Sequence, residues 1–247
     1  MSELATGPYA ATVTRETIVG IDGVTVDIVH AVPTVTTPIA GVVVHPDLMG
    51  IRPLFDDLCR RLATHGVAVA SPEPFARAST EVRESDDPSA RMALIPTLDD
   101  AVQLGDLACA ADLLGERDGA ATAYMIGFCM GGLQTLKAAA AGRFAKAVAF
   151  YGMLRLPESW QGPHFTDALA RAAEVCPTLG IFGGSDPWTP AADLEALRSA
   201  WHDRPECEVV VYPEADHGFV HAPERPTHRP DDAADAWRRA LAWLGLR

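Results

Sequence analysis

Gly127-Phe128-Cys129-Met130-Gly131 is the stretch that decides how this chain folds. It follows an apolar run, Ala123-Tyr124-Met125-Ile126, and precedes a segment of helical character over residues 132–141. Glycine two before and two after a central cysteine fits a nucleophile elbow, the sharp strand-to-helix turn that raises one side chain above a parallel sheet. At the flanking positions any Cβ would collide with neighbouring backbone, which is why glycine is needed there. The sulfur at such a turn sits at a helix N-terminus, where the dipole and a nearby imidazolium both favour thiolate. No serine occupies a Gly-x-Ser-x-Gly frame, and Ser185, in Gly184-Ser185-Asp186, lacks the second glycine. Cys129 is therefore the candidate nucleophile; the bland alternative is a glycine-rich turn around an inert cysteine.

Its partners lie downstream. Phe182-Gly183-Gly184-Ser185-Asp186-Pro187 follows one strand candidate and Glu214-Ala215-Asp216-His217-Gly218-Phe219 follows the next. Nucleophile, acid and base then occur in the order expected of α/β-hydrolases, each on a loop at the carboxyl end of a strand. Asp186 is expected to hold the imidazole of His217 in one tautomer, and His217 to take the thiol proton or activate the hydrolytic water. Glu214 and Asp216 compete for the acid role, but adjacency to His217 in an extended loop points their side chains away from its ring.

Working outward, apolar runs of strand length alternate with segments of helical period, the pattern of a mostly parallel, doubly wound sheet. Strand candidates are 41–45, 67–71, 122–126, 145–150, 178–182 and 208–212. Leu104, Leu107, Ala111 and Leu114 form one helical stripe, Leu194, Leu197 and Trp201 a second, and Trp237, Leu241 and Leu244 a third. Thr189-Pro190 reads as an N-cap followed by proline at the first helical position. Near the start, 17–19 and 24–29 flank Asp22-Gly23, a hairpin turn signal, so an antiparallel hairpin is expected at one edge of the sheet. Residues 72–96 are polar and without period, a long excursion of the kind that covers active sites. No linker divides the chain, so residues 1–247 read as one α/β-hydrolase domain with a flexible start over 1–13.

Composition narrows the partners. With 247 residues, 48% apolar and 21% charged, the chain can bury one large core. A net charge of −13 leaves no basic stripe for nucleic acid or an anionic membrane. No apolar stretch is long enough to span a bilayer, and a cytoplasmic location is the default expectation. Five scattered cysteines, Cys59, Cys109, Cys129, Cys176 and Cys207, fit neither a disulfide framework nor a zinc ribbon.

Taken together, His45-Pro46-Asp47-Leu48-Met49-Gly50, Pro72-Glu73-Pro74-Phe75-Ala76-Arg77, the elbow extended to Gly132, Phe150-Tyr151-Gly152, Gly183-Gly184-Ser185-Asp186 and His217-Gly218-Phe219 resemble the dienelactone hydrolase family from about residue 17 onward. The resemblance implies a cofactor-free hydrolase of enol-lactones such as carboxymethylenebutenolide, or of related esters, and a small-molecule substrate bearing an anionic group. It implies that Asp47, standing where the family has glutamate, lies beside the thiol and biases its protonation. It also implies an oxyanion hole from the backbone N–H groups of Leu48 and Met130. Substrate contacts are implied for Tyr151, for Arg77 at a family arginine position, and for His221, which stands where the family has a second arginine, with Arg225 further along. The spacing His217-x-x-x-His221 has no third ligand in frame, so no metal is expected.

Two other readings remain on the sequence alone. One is a non-catalytic small-molecule receptor on the same fold, which retention of all three triad members argues against. The other is thiol-based acyl transfer or redox chemistry at Cys129, the redox form lacking any Cys-x-x-Cys motif or resolving cysteine.

Overall fold

The structure is a computed structural model and describes residues 3–34 and 36–246. Its centre is an eight-stranded sheet in the order β1-β2-β4-β3-β5-β6-β7-β8, formed by β1 (Ala11–Val19), β2 (Thr25–Pro33), β3 (Gly41–His45), β4 (Ala68–Pro72), β5 (Ala123–Phe128), β6 (Lys146–Phe150), β7 (Thr178–Gly183) and β8 (Cys207–Tyr212). β1 pairs antiparallel with β2, and β2 antiparallel with β4; every later pairing is parallel. This is the α/β-hydrolase arrangement with the expected edge hairpin, whose turn places Gly23 at φ 83°.

Alternation along the central strands builds two cores. Val43 and Met125 face one side, against α4 (Asp100–Asp118), α5 (Met130–Ala139) and α6 (Ala191–Ala200), while Val42, Val44 and Ile126 face α1 (Pro53–Ala63) and α7 (Pro230–Leu244). Covered on both faces, β3 is buried at all five positions and rich in valine, as an internal parallel strand must be. Edge strand β1 instead alternates between half-buried and exposed positions. The excursion after β4 is not structureless: Ser79 and Asp87 cap two short helices, α2 (Thr80–Glu84) and α3 (Pro88–Leu94).

Two local expectations are corrected, and one helix lies where none was expected. Of the start expected to be flexible, residues 3–10 are tied down: Leu4 is fully buried, its carbonyl accepts from Arg61, and the Gly7 and Tyr9 N–H groups donate to Thr64. Residues 1 and 2 lie outside the described residues. Thr189 makes no capping bond, and Pro190 itself is the N-cap of α6, because proline's extended ψ of 154° ends the loop one residue later than expected. Finally, α1 fills a region with no sequence expectation, its Phe55, Leu58, Cys59 and Leu62 forming a buried stripe behind Pro53.

Candidate active site

The elbow forms at the end of β5, with Cys129 at φ 57°, ψ −119°, a conformation costly for a residue with a Cβ. Close approach enforces both glycines. A Cβ on Gly127 would lie 2.1 Å from the Gly131 carbonyl oxygen, and one on Gly131 would lie 2.3 Å from that of His45. The strained turn is held by the Cys129 N–H, which donates to the Phe150 carbonyl at 3.0 Å. Behind it Phe128 stacks on Phe150, with centroids 4.8 Å apart.

Asp186 leaves the sheet just after β7 and is nearly fully buried. Its Oδ2 accepts from His217 Nδ1 at 2.8 Å, and its Oδ1 accepts from the Trp188 N–H at 2.8 Å. The competing carboxylates are engaged elsewhere, Asp216 by the His217 backbone N–H and Glu214 by Arg229. With Nδ1 committed to Asp186, the other ring nitrogen of His217 is left for the thiol. Burial lowers the His217 pKa, but the Cys129 sulfur and the Asp186 carboxylate outweigh it and push the value up to about 10. An imidazole held in this way can take the proton that a neighbouring thiol gives up.

Cys129, His217, Asp47 and Leu48 open onto one cavity of about 200 Å³. Its walls are mainly apolar, from Met49, Met92, Met153, Trp160 and Trp188, the two indoles stacking at 5.7 Å. Pro88 and Met92 of α3 close one side, so the excursion does cover the site. Arg225 lines the same cavity and no carboxylate pairs with it among the described residues. Met130 is the first residue of α5, so its N–H has no partner within the helix.

Behind this cavity lies a second carboxylate–imidazole pair. The Asp47 carboxylate accepts from His221 Nε2 at 2.8 Å, from Arg52 through both Nη atoms at 2.7 and 2.9 Å, and from the Met49 N–H at 2.9 Å. Burial opposes its charge, but His221 and Arg52 together hold the carboxyl well below the usual range. His221 is fully buried, stacked on Phe128 at 4.9 Å, and its Nδ1 is hydrogen-bonded to the Tyr151 hydroxyl. Tyr151, also fully buried, has φ 37° and sets its ring edge-on to His217 at 5.2 Å.

The structure thus brings Cys129, Asp186, His217, Asp47 and Leu48 together and keeps His221 and Tyr151 as a buried layer behind them. It does not bring Arg77 to the cavity. That guanidinium is held by Asp106 on α4 and by Asp22 in the hairpin turn, 2.6 Å away, so both its faces serve to pin the β1–β2 turn to the helix. The expected arginine contact is corrected by those two carboxylates, and Arg225 is the cation that reaches the site. Among the described residues no group of three or more His, Cys, Asp or Glu side chains could hold a metal ion. Arg52, Trp160 and Trp188 escaped the sequence reading. Arg52 carried a weak signal as a lone cation five residues after Asp47, whereas the two tryptophans sit in loops without period.

The model of the dienelactone hydrolase family matches residues 26–246. A relative from Escherichia coli (strain K12), provisionally named a carboxymethylenebutenolidase, is 33% identical over 210 residues, covering 84% of this chain and 77% of that protein. A relative from Methylorubrum extorquens with the same provisional name is 33% identical over 220 residues, covering 87% and 75%. The crystal structure of a protein of Klebsiella pneumoniae, provisionally assigned as a dienelactone hydrolase, superposes with a TM-score of 0.86 at 31% identity over 96% of this chain and 99% of that one.

Proposed function

This chain belongs to the dienelactone hydrolase family and is a hydrolase, and from that premise we propose that it cleaves a small carboxylic ester or lactone through a thioester on Cys129. In this reading Cys129 attacks the carbonyl carbon as thiolate, His217 holds the proton released by the thiol and returns it to the leaving oxygen, and Asp186 fixes the imidazole. Water, deprotonated by His217, then attacks the thioester and frees the thiol. The N–H groups of Leu48 and Met130 receive the charge that develops on the carbonyl oxygen. The observation that carries the reading is the 2.8 Å bond from His217 Nδ1 to Asp186, which leaves the opposite ring nitrogen for a cysteine held at φ 57° on the same cavity wall.

The lining refines the substrate. Apolar walls of methionine and tryptophan suit a hydrocarbon or aromatic body, and Arg225 suits a carboxylate on one end of it. His221 is less suited to that role, because it is fully buried and already paired with Asp47. The test is a panel of short aryl esters and small lactones, each with and without a carboxylate, assayed on wild type and Cys129→Ala. Hydrolysis should require Cys129 and fall in step with its stoichiometric alkylation. Turnover that survives either treatment would overturn the proposal.

A further inference from the structure

Asp47 and the thiol both face the cavity, which would suit a direct effect of the carboxylate on the sulfur. The contacts of Asp47 point elsewhere. Oδ1 takes the Met49 N–H and one Arg52 nitrogen, while Oδ2 takes the other Arg52 nitrogen and His221 Nε2. The groups facing His221 are Asp47, the Tyr151 hydroxyl, the nearby cations Arg52 and Arg225, and the rings of Phe55 and Phe128. On the sulfur side, His217 and Asp47 share its cavity, and Tyr151 sets its ring edge-on to His217 at 5.2 Å.

One proton arrangement satisfies every bond in the chain. An ionised carboxylate can only accept, so His221 Nε2 must carry the hydrogen. A neutral imidazole then has a bare Nδ1, and the partner on that side must donate, so the phenol proton of Tyr151 points at His221. The environment agrees with this assignment. Burial, chiefly, together with the cations lowers the His221 pKa against the pull of Asp47, and burial, with the charge of Asp47 beside it, raises that of Tyr151. The ring nitrogen and the phenol therefore both stay neutral.

We propose that Asp47, His221 and Tyr151 form a positioning relay for the Cys129 thiol: Asp47 fixes the Nε2–H tautomer of His221, whose Nδ1 takes the Tyr151 proton and withholds it from the sulfur. The resting thiol is thereby denied a hydrogen-bond donor that would stabilise thiolate, although Tyr151 directly follows Phe150, whose carbonyl holds the Cys129 N–H at the elbow. Asp47 acts at one remove, through a tautomer, and not by its own charge. The inference rests on Cys129 as the nucleophile for its bearing on turnover, but it is tested on the thiol itself.

The experiment follows the rate of iodoacetamide alkylation of Cys129 against pH, read by mass spectrometry of the Cys129 peptide. In Asp47→Asn the single amide oxygen takes the Met49 N–H and Arg52, so the NH2 faces Nε2 and donates to it, which favours the other tautomer and releases the phenol proton. His221→Phe removes the acceptor outright, yet keeps a ring stacked on Phe128 and leaves Asp47 ionised against Arg52. Each variant should move the alkylation midpoint to lower pH, making the reaction near pH ~6 about tenfold faster. Adding Tyr151→Phe should abolish the shift in both. A shift in Asp47→Asn alone, or one that persists without the phenol, would mean that the carboxylate acts on the sulfur directly and would overturn the relay, as would unchanged profiles. If Asp47→Asn fails to fold, the His221→Phe and His221→Phe/Tyr151→Phe pair decides by the same criteria.

Discussion

Asp186 with His217 and Asp47 with His221 are two carboxylate–imidazole pairs built to the same 2.8 Å, one in front of the elbow and one behind it, and they drive their histidines in opposite directions. The His217 side chain is 15% exposed and meets a sulfur that can take negative charge, so its pKa rises. The His221 side chain has no exposure, meets a phenol whose own pKa burial raises, and has Arg52 and Arg225 nearby, so its pKa falls. A carboxylate at hydrogen-bond distance does not by itself decide the state of an imidazole. Solvent access and the third group decide it. The front pair suits a base that must gain and lose a proton, and the rear pair suits a fixed tautomer.

The sharpest way to break this comparison is to exchange roles by mutation. Cys129→Ala or His217→Ala should lower kcat by roughly 10⁴-fold or more, and Asp186→Asn by somewhat less, with smaller effects on KM, because in the proposed mechanism these groups act on transition-state charge. His221→Phe should cost less than about tenfold. Comparable losses at His217 and His221 in steady-state kinetics would erase the distinction between front and rear. Phe128→Ala, which removes the ring between the rear imidazole and Phe150, should destabilise the fold by about 3–5 kcal/mol in denaturant titration, since a buried aromatic leaves a cavity.

The two histidines should also shape stability on opposite sides of neutrality. His217 has a raised folded pKa, so its contribution is complete below the unfolded value of ~6.5 and drains away as pH rises toward about 10. The folded pKa of His221 is lowered, so its contribution is present above ~6.5 and is lost as pH falls below it. Asp47, whose carboxyl is also depressed by its partners, adds loss only below the ordinary carboxylate pKa of ~3.9. In melting curves against pH, His221→Phe should flatten the acid limb and His217→Phe the alkaline limb; the reverse pattern would refute the assignment.

Smaller effects belong to the cations. Arg225→Gln should reduce kcat/KM for a carboxylate-bearing lactone about tenfold relative to its methyl ester, as loss of one charge-assisted contact would. Arg77→Ala should leave that selectivity unchanged, because its guanidinium is spent on Asp22 and Asp106. Equal selectivity in wild type and Arg225→Gln would remove charge reading from this site.

Local pattern explains what could be read from the chain alone. The elbow, the three residues proposed as a triad and the strands are written in glycine spacing and apolar period, and β3 matched its expected bounds at Gly41–His45. Long-range partners carry no such pattern. Asp47 and His221 are 174 residues apart, and Arg77 and Asp106 are 29 apart, so the sequence could name the charges but not their mates. The buried stripe of α1 was legible in principle, since Phe55, Leu58, Cys59 and Leu62 repeat at helical spacing. Thr189 misled because Thr-Pro suits an N-cap, yet here proline occupies the cap itself.

Everything in this account turns on whether acyl transfer goes through the sulfur at the elbow. The direct measurement is rapid quenching of the enzyme during turnover of a short aryl ester, followed by intact and peptide mass spectrometry. We expect one acyl group on the peptide containing Cys129, labile to hydroxylamine as a thioester is, and no adduct in Cys129→Ala. An acyl group on any other residue, or wild-type turnover by Cys129→Ala, would contradict the account.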